Sequence, residues 1–347
     1  MRIAVDVMGG DNAPDDILRG CIEGLQHLAP DDKLVLFGNQ RDIDEVLEEA
    51  GVSDARLEVV ATTQVIEMAE APSLAVKGKP DSSIVQMCRY SSQREQDPAK
   101  RRDAALSAGN TGACVAAGIM QMKRLPGIHR PGISVAMPSM HGPMVLCDAG
   151  ANPEPTATHL WQYAVMADVV ARKLLHIDNP RVAVMNIGAE DSKGTGTIKQ
   201  ARDMIKATPG LNYIGFIEGR EFFAGVADVV VTDGLMGNVV LKTAEGIAKS
   251  IFEAITQEIL EIDSDLMSRF APVAKSIWKK NDYHEYGGAP LIGVNGTLFI
   301  AHGSSEPRTI ANAIRSCREY VSTGINDGIV ERIAEAEAAV LPQTASA

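Results

Sequence analysis

The segment Asn186–Gly196, NIGAEDSKGTG, follows the apolar run RVAVM and gathers one lysine, two carboxylates and three glycines in a single turn. Glycines let backbone N–H groups approach an anion closely, and a lysine adds a point charge beside them. The chemistry open to Lys193 is therefore the holding of a phosphate or of a developing oxyanion; a solvated lysine paired with Glu190 or Asp191 is the alternative. Two other turns repeat the theme. SAGNTGA sets Ser107, Asn110, Thr111 and Gly112 at the start of a helical pattern, where unpaired N–H groups suit an anion. MGNVVLKTAEG sets Asn238 and Lys242 in the same relation. For Asn110 and Asn238 the competing reading is a helix cap.

Other chemistries lack their residues. No G-x-x-x-x-G-K-[ST], complete G-x-G-x-x-G, G-x-S-x-G or H-E-x-x-H occurs, which disfavours an NTPase, a Rossmann dehydrogenase, a serine hydrolase and a zinc hydrolase. The five cysteines are scattered with no C-x-x-C, so they read as reduced, buried thiols, and no metal or other cofactor is expected.

The turns need a frame. Short apolar runs at 2–8, 33–38, 56–61, 103–109, 132–138, 144–150, 181–188, 227–234 and 297–303 end in Gly, Asp, Asn or Ser and predict buried strands. Helical spacing fills 15–29, 40–50, 111–124, 156–176, 194–207, 236–262 and 306–335. This alternation predicts an α/β fold, a mainly parallel sheet covered by helices on both faces in three αβα layers. Ligands of such sheets bind at the carboxyl ends of the strands, and six polar turns are expected to converge on one rim there. A single domain over 1–335 with a frayed tail over 336–347 is expected.

At 347 residues the chain can bury a large core. A net charge of −12 with no strongly basic stretch argues against nucleic acid as a partner. The first residues do not read as a signal peptide, and no run of about 18 apolar residues exists to span a bilayer. A cytoplasmic protein, at most peripheral to the membrane, is the expectation.

Seven stretches, IAVDVMGGDNAP, SAGNTGA, RPGISVAMP, CDAGAN, NIGAEDSKG, ADVVVTDGLMGNVVLKTAEG and GGAPLIGVNGTLFIAHGSS, occur in order between Arg2 and Arg315. Together they resemble the successive blocks of the bacterial phosphate acyltransferase family PlsX, the acyl-ACP:phosphate transacylases. The resemblance implies that a fatty acyl group passes from acyl-[acyl-carrier protein] to inorganic phosphate, giving an acyl phosphate for phospholipid synthesis by a membrane glycerol-3-phosphate acyltransferase. It implies a fold related to phosphate acetyltransferases and the isocitrate/isopropylmalate dehydrogenase group, a homodimer, and peripheral membrane association. Lys193 and Asn238 become the expected catalytic pair. Ser107, Asn110, Thr111 and Gly112 would bind phosphate, and Asp6, Gly9, Gly10 and Asp11 would shape the first loop. Asn152, Glu190, Asp233, Lys242, His302 and Ser304 would stand around the substrate. The chain departs from the family pattern at Asn12, where His is common, in GANPEPTATHL, and in AED in place of three glutamates. A transferase using short acyl-CoA and a noncatalytic phosphometabolite-binding protein are the rival readings.

Residues 239–286 predict a protruding helical hairpin turning near Asp263–Ser264. One face carries Ile247, Ile251, Ile255 and Ile259, the other helix Leu266, Met267, Phe270, Ile277 and Trp278. This suits a dimer interface. Arg269, Lys275, Lys279 and Lys280 also suit an anionic lipid surface, against which Glu258, Glu261, Asp263 and Asp265 count. Acyl-carrier protein is acidic, so a basic docking surface is expected at Lys100, Arg101 and Arg102 or at Lys123, Arg124 and Arg130.

Overall fold

The structure, a computed structural model, describes residues 1–262, 264–281 and 287–344. Asp263 and the side chains of Asp265, Trp278, Lys279 and Lys280 lie outside the described residues. Among the described residues eleven strands form one sheet: β1 (Arg2–Asp6), β2 (Lys33–Gly38), β3 (Leu57–Ala61), β4 (Ala104–Ser107), β5 (Gly132–Ser139), β6 (Gly142–Cys147), β7 (Arg181–Met185), β8 (Asn212–Ile217), β9 (Val229–Val231), β10 (Ala289–Ile292) and β11 (Leu298–Ile300). The helices are α1 (Asp15–Gly24), α2 (Gln40–Glu49), α3 (Pro72–Gly78), α4 (Ser83–Tyr90), α5 (Thr111–Ala117), α6 (Ala157–Leu174), α7 (Gly196–Ala207), α8 (Gly234–Ile262), α9 (Ser264–Asn281), α10 (Pro307–Thr323) and α11 (Ile325–Thr344).

Alternation along the strands separates two cores. Ile3, Val5, Leu34, Leu36 and Leu106 face α1, α6, α10 and α11, while Ala4, Val35, Phe37 and Ala105 face α4 and α5. The strands are therefore buried on both faces, which is why they read as unbroken apolar runs.

The strand order is β3-β2-β1-β4-β11-β10-β5-β6-β9-β7-β8. β3, β2, β1, β4 and β11 are parallel to one another, as are β6, β9, β7 and β8. β10 and β5 join the two sets through three antiparallel pairings, so the sets run in opposite directions. Their register is offset. Ser107 lies level with Ile300 and Ala289; two residues along β10, Leu291 lies level with Ile133, whose carbonyl accepts from the Ala149 N–H at 3.0 Å. The carboxyl ends of both sets thus come within about 7 Å of one level, one half of the sheet lying below it and the other above. The expectation of a single rim is corrected. Three turns come from each half, and they meet across a cleft.

Other boundaries also move. The helix expected over 306–335 is two helices parted at Gly324, whose φ of 62° lies in the left-handed region that favours glycine. The second of them runs on to Thr344 with Ala336 and Val340 buried, so residues 336–344 of the stretch expected to fray are helical. The helix expected over 111–124 stops at Ala117 and continues as a π-helical turn, Gly118–Met122. In the hairpin, α8 buries only Gly234 and Gly237. Ile247, Ile251, Ile255, Leu266, Val273 and Ile277 are exposed.

Candidate active site

Where the two halves meet there is a cavity of about 120 Å³. Its walls are largely apolar (Ile133, Val135, Ala149, Leu241 and Ile300), and the Gly287–Ala289 backbone closes one side. The polar groups come from both halves: Thr111 and His302 from the turns after β4 and β11, Asn238, Lys242 and Glu245 from α8.

In the β6–α6 turn, the Asp148 carboxylate accepts from four backbone N–H groups, those of Ile133, Gly150, Ala151 and Asn152, at 2.7–3.1 Å. Burial pushes this carboxyl above the usual range, against the pull of those four donors. The start of α8 packs onto the same turn. A Cβ on Gly237 would meet the Asp148 carbonyl oxygen at 1.9 Å, and one on Gly234 would meet Asp148 Oδ2 at 2.8 Å. Only glycine permits that approach, and it leaves Asn238 beside Gly150, with Asn238 Oδ1 3.8 Å from where a Gly150 Cβ would stand. The cap of α8 is Asp233, whose Oδ1 accepts from the Met236 N–H at 2.8 Å. Asn238 is therefore no cap, and its side chain faces the cavity.

Lys193 lies at the carboxyl end of β7, one strand away from β9, which leads into α8. It is exposed and does not line the cavity. Among the described residues no carboxylate pairs with it: Asp191 turns to Arg202 (3.6 Å), and Glu190 shares with the Lys193 stem the space over Gly188. Beneath the turn, Asn186 is 8% exposed; its Oδ1 accepts from the Ile187 N–H, and its Nδ2 is a buried donor without a partner, 3.1 Å from where a Gly194 Cβ would stand.

The other half is more rigidly spoken for. Asp6, fully buried, accepts from Ser107 Oγ (2.7 Å) and the Met8 N–H (3.1 Å), and burial raises its carboxyl above the usual range. Ser107 Oγ also accepts from the Gly109 N–H. Gly9 passes so close that a Cβ would meet Asp6 Oδ2 at 2.4 Å; Gly10 has φ 132°, and the Asp11 N–H donates to the Gly303 carbonyl. Asn110 caps α5 through Oδ1 while its Nδ2 donates to the carbonyls of Glu67, Met68 and Glu70. Here the Ser107 side chain ties the turn to Asp6 and that of Asn110 ties it to residues 67–70, Gly112 makes room for Pro72, and Thr111 lines the cavity.

The remaining expected residues scatter. Lys242 pairs with Glu245 at 3.0 Å, so this corner is neutral overall. His302 Nδ1 accepts from the Ser304 N–H and lies 2.7 Å from Ser304 Oγ, which leaves the neutral ring's proton on Nε2. Asn152 points at Tyr163 Oη (3.4 Å) and His159 Nδ1 (3.5 Å), away from the cavity lining. Burial pushes the Cys21 and Cys114 thiols up to about 12, and Cys147 is also buried, so none of them is a ready nucleophile. Among the described residues no three His, Cys, Asp or Glu side chains are grouped to hold a metal. No helix among them is long and apolar enough to cross a membrane.

Sequence reasoning passes over Asp148 and Asn186 as site residues. The signal for Asp148 is its likeness to Asp6: each is the acid that ends a strand just ahead of a glycine turn. For Asn186 no signal exists, because an orphan donor is visible only in three dimensions.

Comparison with known proteins adds the family. The chain matches the family described as "Fatty acid synthesis protein" over residues 1–327. It is 42% identical over 336 residues to the phosphate acyltransferase of Desulfitobacterium hafniense, covering 96% of this chain and 98% of that one. It is 37% identical to the phosphate acyltransferase of Dictyoglomus turgidum, covering 95% and 97%. Among solved structures it superposes on a phosphotransacetylase from Streptococcus pyogenes with a TM-score of 0.60 at 17% identity, over 92% and 94% of the two chains. The EutD phosphotransacetylase from Staphylococcus aureus gives 0.58 at 14%, over the same shares. These two show a shared fold. With its strand order, its cleft between opposed half-sheets and its sequence accounted for together, the chain belongs to the fatty acid synthesis protein family, that of the phosphate acyltransferases.

Proposed function

We propose that this phosphate acyltransferase takes its acyl group from a fatty acyl-[acyl-carrier protein] and passes it to inorganic phosphate. The observation that carries the reading is the apolar cavity with Asn238 at its wall, next to the turn that holds the unpaired Lys193. A phosphate oxygen attacks the thioester carbonyl carbon, the C–S bond breaks, and the sulfur leaves as a thiolate that takes a proton from water. A thiol with a pKa of about 8.5 is a good leaving group, so neither a strong acid nor a Ser or Cys nucleophile is needed. Two negative charges must be held, on phosphate and on the tetrahedral oxygen. Lys193 binds the phosphate and the Asn238 amide donates to the oxyanion; one preorganised donor is worth about 3–4 kcal/mol of the barrier. The Asn186 Nδ2 gives the Lys193 turn a further donor when phosphate draws the turn in.

The exposed stripe of Ile247, Ile251, Ile255, Val273 and Ile277 supports a homodimer through the hairpin. Residues around Phe270 support peripheral contact with the membrane, where the acyl phosphate is consumed by a glycerol-3-phosphate acyltransferase; the Phe270→Glu variant would then leave liposomes in sedimentation.

The test is thiol release from palmitoyl-[acyl-carrier protein] with and without phosphate, and again with palmitoyl-CoA. Phosphate-dependent release from the carrier protein, yielding a hydroxylamine-reactive product, is the expected result. Release from CoA alone would move the donor to the acyl-CoA class, and silence with both would leave a binding protein.

A further inference from the structure

The two basic clusters of the sequence have different fates. At Lys100–Arg102 the charges are used within the chain. Arg102 is buried, donates to the Ala99 and Arg101 carbonyls, and lies over the Tyr90 ring at 5.7 Å. Lys100 pairs with Asp97, and Arg101 donates to Gln93. At Lys123, Arg124 and Arg130 the opposite holds. These three exposed cations rim a concavity of about 550 Å³ whose floor includes Ile119, Leu125 and Ile128. Among the described residues no carboxylate forms an ion pair with any of the three; Arg124 donates to the His129 carbonyl, and Glu337 sits beside Gly127. The local positive field registers on His159, whose imidazole is lowered first by its own burial and then by Arg130, His129 and Arg124.

A chain of net charge −12 repels an acidic protein at long range. An unneutralised basic rim around an apolar floor reverses that locally, and it has the form that receives an amphipathic helix with acidic flanks. We propose that this concavity docks an acidic amphipathic helix of the acyl-carrying protein, an inference that rests on the donor assigned above. Its position fits the task. Arg130 is three residues before Ile133, a wall of the reaction cavity, so rim and cavity are joined by at most about 11 Å of extended chain.

The test is the triple variant Lys123→Glu/Arg124→Glu/Arg130→Glu in the full chain, with Lys100→Glu/Arg101→Glu as its control. The triple variant should raise KM for acyl-[acyl-carrier protein] by about 10–100-fold at low salt and flatten its salt dependence, with kcat at saturation held. Turnover of S-palmitoyl-pantetheine, which carries no acidic protein, should not change, and this also shows that the variant is folded. The control should keep the wild-type KM. An unchanged KM in the triple variant, or an equal loss with the pantetheine substrate, overturns the docking surface. A wild-type enzyme silent with acyl-carrier protein would overturn the donor assignment instead. The surface is then judged by anisotropy of labelled holo-carrier protein: salt-sensitive binding lost in the triple variant supports it, and binding unchanged or absent in the wild type ends it.

Discussion

Lys193 and Asn238 are held by different means, yet their variants should read alike. Both side chains are exposed, so truncation opens no core. Lys193→Ala and Asn238→Ala should each lower kcat by about 10²–10³ at unchanged melting temperature, read by thiol release and by calorimetry. A fall in melting temperature that tracks the loss of kcat would count against their proposed roles. Asp148 is the converse case, a buried carboxylate whose four backbone donors position the turn beside Asn238. Its carboxyl is raised on folding, so the folded state holds the proton more tightly than the unfolded one. Stability from this group is therefore present at low pH and lost as pH rises above the unfolded value of 3.8. Asp148→Asn carries no such titration. The melting-temperature difference between variant and wild type should move in the variant's favour between pH 4 and pH 8, as measured by scanning calorimetry; a constant difference would show that the folded and unfolded carboxyls titrate alike.

At the scale of elements, the approach of α8 to the Asp148 turn decides where Asn238 stands. Gly237→Ala places a methyl where the Asp148 carbonyl oxygen already lies, 1.9 Å away, and backbone cannot swing aside as a flexible side chain can. The start of the helix must shift, and a displacement of about 1 Å in a reacting group costs on the order of 10²-fold in rate. A kcat loss of that size with a near-native circular dichroism spectrum is expected; full activity would show that Asn238 is placed some other way. The same scale explains what could be read in advance. The strands β1, β2, β4, β6, β7, β9 and β11 were legible because burial on both faces demands unbroken apolar runs. β8 was not: Asn212–Ile217 is an edge strand, bulged at its pairing with β7 and partly polar to solvent. β10 was hidden by its proline, which reads as a break in a strand. The helices α3 and α4 are too short for a period to declare itself. In the site, the residue types of each turn were legible, but their division into structural and free side chains was not. Asn110 and Asn238 occupy similar G-N contexts, and only the neighbouring carbonyls of Glu67, Met68 and Glu70 make the first a clamp.

At the scale of the whole molecule, the hairpin stands out as apolar surface that one chain leaves uncovered. Ile251→Glu sets a charge at the middle of that stripe, where Ile251 is 53% exposed in the single chain. If the proposed homodimer pairs through this stripe, a shift from dimer to monomer in light scattering is expected, with the single chain's helical content kept; an unchanged mass would end the proposal that the hairpin pairs two chains.

The order of strands has a consequence for how the protein is made. β11, residues 298–300, sits in the middle of the sheet between β4 and β10, while the β1–β4 unit on one side and β6–β9 on the other are translated long before it. Until residue 300 clears the ribosome, β4 keeps an open edge of unpaired N–H and C=O groups, and the two halves have no shared strand to lock them. The cleft can close only at the end of synthesis, so for most of translation the chain carries two half-built sheets whose exposed edges chaperones have reason to guard.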